Sequence, residues 1–146
     1  MIRVSVQPAA IDVASELAAV EASGAGGIAS FTGLVRADDG VTELELEHYP
    51  GMTEAALTTL AEEARQRWGL LAVNVVHRIG RMAPGERIVF VATAAPHRAA
   101  ALESCAFLID KLKTGAPFWK RERRNGKARW VEIRGADQEA ADRWQQ

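Results

Sequence analysis

The sequence lacks the features that mark several classes of protein. It has one cysteine, Cys105, so no disulfide can form within the chain. Cys105 lies in an apolar stretch with helical spacing, which favours a buried structural thiol over the alternative of a sulfur-relay group. No hydrophobic run approaches the roughly 20 residues that a membrane-spanning helix needs. Residues 2–6 alternate apolar and polar side chains as a strand does, unlike a signal peptide, so we expect a cytoplasmic protein.

Common catalytic and binding motifs are also absent. His48, His77 and His97 have no metal-ligand spacing with each other or with Cys105, so no protein-bound metal is predicted. The glycine-rich run at 24–27 precedes a strand pattern and lacks the Gly-Lys-Ser/Thr ending of a phosphate loop. There is no Gly-x-Ser-x-Gly sequence of the kind that carries a hydrolase nucleophile.

The composition is that of an ordinary globular domain. The chain has 146 residues, 48% of them hydrophobic and 25% charged, which predicts a single domain over residues 1–146 with a substantial core. The formal net charge of −1 gives no bulk electrostatic reason to expect a nucleic-acid partner. The charge is unevenly spread, however, because residues 38–63 are acidic and residues 111–134 are basic. The basic stretch can hold an anion locally.

Strand and helix patterns alternate along the chain without a linker. The apolar spacing predicts strands at 2–6, 28–36, 41–49, 72–78, 88–93, 118–123 and 128–133, and helices at 11–22, 53–68, 97–112 and 137–144. We expect Thr53 to cap the second helix, and the glutamates of the strand at 41–49 to form a solvated face. Asn125-Gly126 is a strong hairpin signal. The hairpins favour an α+β fold with largely antiparallel sheet.

The most informative segment is Lys-Thr-Gly-Ala-Pro-Phe-Trp-Lys-Arg-Glu at 113–122. Gly115 and Pro117 predict a bend, because glycine adopts backbone angles that other residues avoid and proline fixes its own φ. Such a bend can direct Lys113 and Lys120 into a shared cleft, where lysine can move protons or act as a nucleophile. The spacing alone leaves open the alternative, and more common, case of a surface loop with solvated lysines.

Three further basic residues lie at a strand end or a helix start, positions where proteins commonly bind anions. Arg36 ends a predicted strand beside a turn, and arginine suits phosphate because its planar fork donates two parallel hydrogen bonds. His97 and Arg98 open a predicted helix, whose first backbone N–H groups already favour an anion. The residues by themselves are also compatible with a solvated strand-end arginine and a helix start without a ligand.

Seven segments, in order along the chain, carry a family resemblance. They lie at 31–36, 46–54, 77–80, 84–86, 96–98, 113–122 and 129–132. Together they make the chain, from residue 27 to residue 144, resemble the large, catalytic subunit of molybdopterin synthase. The resemblance implies an α/β hammerhead-like core with an additional antiparallel β subdomain, and a homodimer of large subunits within a heterotetramer.

The resemblance also implies an activity and a partner. The partner is a ubiquitin-like small sulfur-carrier subunit that ends in a Gly-Gly thiocarboxylate. The substrate is cyclic pyranopterin monophosphate, and the enzyme is a sulfur transferase that forms the dithiolene of molybdopterin. No metal or cofactor is expected, because molybdenum enters later on another protein.

Site residues follow from the match to the family's motifs. Lys113 would transfer a proton or stabilise charge at the reacting carbon, and Lys120 would assist and hold the tail carboxylate. Phosphate and pterin would be held by Arg36, His97, Arg98, Arg121 and Arg134, with Arg134 supplied across the dimer interface. Phe118 or Trp130 would contribute to a docking surface for the carrier.

Two other functions are compatible with parts of the sequence. The first is a non-catalytic scaffold that binds a ubiquitin-like carrier tail, which predicts carrier binding without turnover. The second is an RNA- or nucleotide-binding domain that uses the basic hairpin at 121–129, which predicts nucleic-acid binding with steep salt dependence. The combination of Lys113, Lys120, His97 and Arg98 argues against both.

Overall fold

The structure, a computed structural model, describes residues 1–130 and 135–144. Arg134 and the end of the strand predicted at 128–133 lie outside the described residues. The elements are β1 (Ile2–Gln7), α1 (Val13–Glu21), β2 (Gly27–Leu34), a 3-10 turn (Asp38–Gly40), β3 (Val41–His48), α2 (Met52–Trp68), β4 (Ala72–Arg78), β5 (Gly80–Met82), β6 (Arg87–Ala95), α3 (Arg98–Gly115), β7 (Phe118–Arg124), β8 (Lys127–Trp130) and α4 (Gly135–Asp142).

The strands form two four-stranded sheets. The first has the order β1-β4-β6-β2, with β1 parallel to β4 and the remaining pairs antiparallel. The second has the order β5-β3-β7-β8 and is antiparallel throughout. The predicted α+β fold with an antiparallel β subdomain is confirmed. Among the described helices, none combines the length and apolar character needed to cross a membrane.

The main core lies between the first sheet and the helices α2 and α3. Alternation along the central strand β4 places Val73 and Val75 in this core, with Phe107 of α3 fully buried against them. Helix α1 covers the other face of the same sheet. Cys105 is buried in the main core, and burial raises the pKa of its thiol to about 11. It is therefore a structural thiol, as predicted.

The outer face of β3 differs from the prediction. Glu43 and Glu45 are not simply solvated, because arginines from the neighbouring strands cover them. Arg81 and Arg123 lie 3.5 and 3.1 Å from Glu43, and Arg121 lies 3.1 Å from Glu45. Cross-strand pairing brings these opposite charges together, and the sequence of a single strand does not contain that information.

Two helix ends also differ from the prediction. Gly51, and not Thr53, is the N-cap of α2, with a φ of 84° that favours glycine, and the Glu54 side chain accepts a hydrogen bond from the Gly51 N–H. Thr53 is the second residue of α2, and its hydroxyl bonds residues outside the helix and does not cap it. Helix α3 begins beside His97 as predicted, but it continues to Gly115, beyond the predicted end at 112.

The hairpin between β7 and β8 is confirmed over the described residues. Asn125 and Gly126 have φ values of 49° and 76°, the left-handed geometry that tight two-residue turns require. Arg124 pairs with Lys127 across the turn, and the register continues to Arg121 with Trp130.

Candidate active site

The predicted bend between Lys113 and Lys120 is present as a two-residue connection. Helix α3 ends at Gly115 and β7 begins at Phe118, so Ala116 and Pro117 alone join them. Lys113 lies exposed on the last turn of α3. Lys120 is the third residue of β7, half-buried, and pairs with Leu46 of β3. The short connection keeps the two lysines at one end of the molecule.

A buried aromatic stack fixes the start of β7. The ring of Phe118 lies on the ring of His77, with 4.1 Å between centroids and 26° between planes. Burial lowers the pKa of His77 to about 4, so its imidazole is neutral at neutral pH. Its Nδ1 lies 2.9 Å from the Arg78 carbonyl and donates to it, since a carbonyl can only accept. His77 is thus structural, as expected for a histidine in an apolar strand.

Arg36 follows a residue that packs beside the strand partner of Lys120. Val35, its neighbour, packs in one apolar cluster with Leu46, the cross-strand partner of Lys120. The Arg36 guanidinium is 3.3 Å from Asp38, and both side chains are more than half exposed, at 66% and 56%. Such an exposed pair stabilises the fold little, so a phosphate can replace Asp38 as the partner of Arg36.

His97 and Arg98 lie at the other end of α3. His97 is the N-cap and Arg98 the first helical residue, and both are exposed. Fifteen positions separate Arg98 from Lys113 along the helix, which is about 22 Å at 1.5 Å per residue. One protomer therefore does not bring His97 and Arg98 to its own Lys113.

The remaining predicted residues do not join the lysines in the described structure. Alternation along β7 places Arg121 on the opposite face of the sheet from Lys120. There Arg121 pairs with Glu45, and its guanidinium lies 5.0 Å from the ring centroid of Trp130. Arg134 lies outside the described residues.

Sequence reasoning missed one residue of this region, Thr53. Its side chain is fully buried, and its hydroxyl donates to the Pro117 carbonyl at 2.7 Å. No local pattern could have indicated this bond, because 64 positions separate the two residues.

Among the described residues, neither the clefts beside α1 and α2 nor the metal-ligating groups include a predicted site residue. A cleft of about 120 Å³ between β1 and α1 contains none of the predicted site residues, and Arg3 and Glu16 line it as an ion pair at 2.7 Å. Within the described ranges, no group of three or more histidine, cysteine or acidic side chains is placed to hold a metal ion.

Comparison with known proteins gives consistent matches. The family model of the MoaE protein matches residues 6–115. The chain is 52% identical to the molybdopterin synthase catalytic subunit of Pseudomonas aeruginosa, over 98% of this chain and 99% of that protein. Among solved structures, the molybdopterin biosynthesis MoaE protein of Burkholderia ambifaria is 47% identical with a TM-score of 0.85, covering 99% of this chain and 98% of that one. Molybdopterin synthase of Staphylococcus aureus has a TM-score of 0.81 at 28% identity, covering 87% and 95%.

Proposed function

This chain belongs to the MoaE family of molybdopterin synthase catalytic subunits, and we propose that it completes the molybdopterin dithiolene at the connection between α3 and β7. The observation that carries the assignment of the site is the placement of Lys113 and Lys120 on either side of a two-residue, anchored connection. The substrate is cyclic pyranopterin monophosphate. The sulfur donor is a ubiquitin-like small subunit with a C-terminal Gly-Gly thiocarboxylate, and the setting is cytoplasmic.

Each sulfur is transferred in two substitution steps. The carrier's thiocarboxylate sulfur forms a bond to a side-chain carbon of the pterin while that carbon's bond to oxygen breaks, and the departing oxygen takes up a proton. The carrier tail is then linked to the intermediate as a thioester. Water then cleaves the acyl–sulfur bond, which leaves the sulfur on the pterin and releases the carrier with a carboxylate. A second thiocarboxylated carrier repeats the sequence for the second sulfur.

The two lysines suit different parts of this reaction. Lys113 is exposed at the helix end, where it can reach the reacting carbon, stabilise developing negative charge and transfer a proton. Lys120 is half-buried on the strand and is the better placed to hold the tail carboxylate, because a partly buried cation is less screened by water. This difference in exposure is the reason for giving proton transfer to Lys113 and tail binding to Lys120.

The phosphate and pterin contacts come from two protomers in our proposal. Arg36 lies near the lysines of its own chain, whereas His97 and Arg98 are about 22 Å from Lys113 along α3. In a homodimer, a two-fold axis can bring the start of α3 in one protomer to the lysine end of the other. Arg134, at the end of the basic stretch, is assigned to the same composite pocket.

Loss of either phosphate-binding arginine should weaken substrate binding. We expect Arg36→Ala and Arg98→Ala each to raise the pterin dissociation constant about tenfold or more, because each loses a charge-assisted hydrogen bond of roughly 1.5–3 kcal/mol. Isothermal calorimetry measures the effect, with Arg81→Ala as a control on an exposed arginine that pairs with Glu43. Unchanged affinity in both variants would argue against a phosphate pocket at these residues.

Mixed dimers test whether His97 and Arg98 act across the interface. Co-expressed Lys113→Ala and Arg98→Ala chains should regain turnover, since one of the two sites in each mixed dimer then has both residues intact. The dithiolene-forming rate is measured at a pterin concentration below the dissociation constant of the Arg98→Ala protein. If both residues served the same chain's site, every mixed-dimer site would be defective and turnover would stay at the level of the separate variants.

The function itself is tested by reconstitution. The purified protein is mixed with thiocarboxylated carrier and cyclic pyranopterin monophosphate, and dithiolene formation is followed. Turnover supports the proposed activity, whereas carrier binding without turnover supports the scaffold. The alternative of nucleic-acid binding by the hairpin gains no support, because Arg121, Arg123 and Arg124 already pair with glutamates at 2.7–3.1 Å.

A further inference from the structure

We propose that Thr53 is a positioning residue for sulfur transfer, because its hydroxyl fixes the connection that sets Lys113 and Lys120 relative to each other. The inference rests on the proposed function of the two lysines. Thr53 itself touches neither reacting group in this proposal. It acts through the backbone of Pro117, which lies four residues after Lys113 and three before Lys120.

The hydroxyl of Thr53 joins two separate parts of the chain. It accepts a hydrogen bond from the Tyr49 N–H at 3.0 Å, at the junction of β3 and α2. It donates to the Pro117 carbonyl at 2.7 Å, in the connection between α3 and β7. The Thr53 side chain is fully buried. The hydroxyl side of both bonds is therefore shielded from water, whereas Tyr49 is exposed and Pro117 is half-buried, so loss of the hydroxyl removes the link between the two segments.

The Pro117 carbonyl is a sensitive point in this connection. Only Ala116 and Pro117 separate the helix from the strand, so the direction of the Pro117 peptide plane sets the direction in which β7 leaves α3. Proline has no N–H, so this residue can be held through its backbone by its carbonyl alone. The neighbouring residue Phe118 is held by its stack on His77. Without the Thr53 bond, the connection is held on the strand side but can rotate on the helix side.

A small rotation here matters because the lysines act on one reacting centre. Misplacement of a catalytic group by about 1 Å can reduce the rate on the order of 100-fold. Binding of the carrier body and of the pterin phosphate depends on other surfaces. Loss of the Thr53 hydroxyl should therefore lower the turnover rate more than it lowers substrate affinity.

The test compares Thr53→Val with Thr53→Ser in the reconstituted assay. Valine keeps the volume and removes the hydroxyl, so we expect kcat to fall about tenfold or more, with KM changed less than about threefold. Serine keeps the hydroxyl and should restore most of kcat. If Thr53→Val does not fold, Thr53→Cys replaces it, since cysteine has a similar volume and is only a weak donor.

Thr93→Val is the matched control for lost stability. Thr93 is also fully buried, and its hydroxyl also donates to a backbone carbonyl at 2.7 Å, that of Ala101. Both valine variants should lower the thermal midpoint, but only Thr53→Val should lower kcat.

A second readout is the coupling between Thr53 and Lys120 in a double mutant. In a Lys120→Ala background, Thr53→Val should reduce kcat far less than it does alone, because the group that Thr53 positions is gone.

The outcomes separate this inference from the proposed function. If the wild-type protein forms dithiolene and Lys113→Ala does not, yet Thr53→Val retains wild-type kcat, the positioning role is wrong and the function stands. Equal kcat losses in Thr53→Val and Thr93→Val, or full additivity with Lys120→Ala, also overturn the positioning role. If the wild-type protein itself gives no turnover with active carrier, the proposed function fails first.

Discussion

Lys113→Ala is expected to leave a folded protein with almost no sulfur transfer. Lys113 is exposed on the last turn of α3, so its removal leaves no cavity in the core, and the favourable interaction with the helix dipole that it loses is worth about a few tenths of a kcal/mol. The expected loss of turnover is on the order of 100-fold or more, the range in which a general acid–base group contributes. Dithiolene formation under saturating carrier and pterin measures it, with circular dichroism as the check on folding.

Lys111 provides the matched control on the same helix. It lies two positions before Lys113, which places it about 200° around the helix and so on a different face. Lys111→Ala removes the same charge and should keep near-normal turnover. Lys120→Ala should reduce turnover less completely than Lys113→Ala. If Lys120→Ala alone abolished turnover, the two roles would be exchanged, and near-normal turnover by a folded Lys113→Ala protein would contradict the catalytic assignment.

The features predicted correctly from the sequence are those that local chemistry determines. Asn125 and Gly126 turn the chain between β7 and β8 because both residues tolerate a positive φ. Pro117 follows the end of α3, since a helix rarely continues through the residue before a proline, whereas Gly115 is the last residue of the helix and has no positive φ. The bend allows the two flanking lysines to share a cleft, but their assignment as site residues comes from the family resemblance.

The features that were missed depend on contacts between distant segments. Thr53 was assigned as a helix cap because threonine near a helix start usually caps it. Its hydroxyl instead bonds Pro117, and Gly51 takes the cap position. The covered face of β3 is similar, since Arg81 and Arg121 approach Glu43 and Glu45 from strands that are far away in the sequence.

The proposed division of the site between the two ends of α3 depends partly on local and partly on distant contacts. A helix predicted at 97–112 already places Arg98 far from Lys113, because each residue advances the helix by about 1.5 Å. The sequence therefore contained the reason why one protomer cannot bring these residues together. What it did not contain is the surface through which two protomers meet.

The aromatic side chains of β7 and β8 bear on how the carrier is recognised. Phe118 is half-buried on His77, which removes it as a docking residue. Trp130 is 54% exposed and Trp119 is 47% exposed, with 5.5 Å between their ring centroids. Exposed tryptophans of this kind are typical of protein interfaces. We therefore retain Trp130, now together with Trp119, as the docking surface for the carrier body.

Deleting the carrier's terminal Gly-Gly should abolish turnover and still leave a measurable complex. The tail carries the sulfur, so without it no transfer can occur. The tail also loses conformational entropy when it enters the site, and glycine loses more than any other residue, so much of the affinity must come from the carrier body. Calorimetric titration of intact and truncated carrier into this protein measures the two contributions.

The same titration with a Trp130→Ala protein locates the docking surface. If Trp130 contacts the carrier body, the substitution should weaken binding of the intact and the truncated carrier by the same factor, because it acts independently of the tail. Lys120→Ala should instead weaken only the intact carrier, since the truncated one has no tail end at the site. Tight binding of the intact carrier together with no detectable binding of the truncated one would mean that the tail alone carries recognition. A separate docking surface at Trp119 and Trp130 would then be wrong.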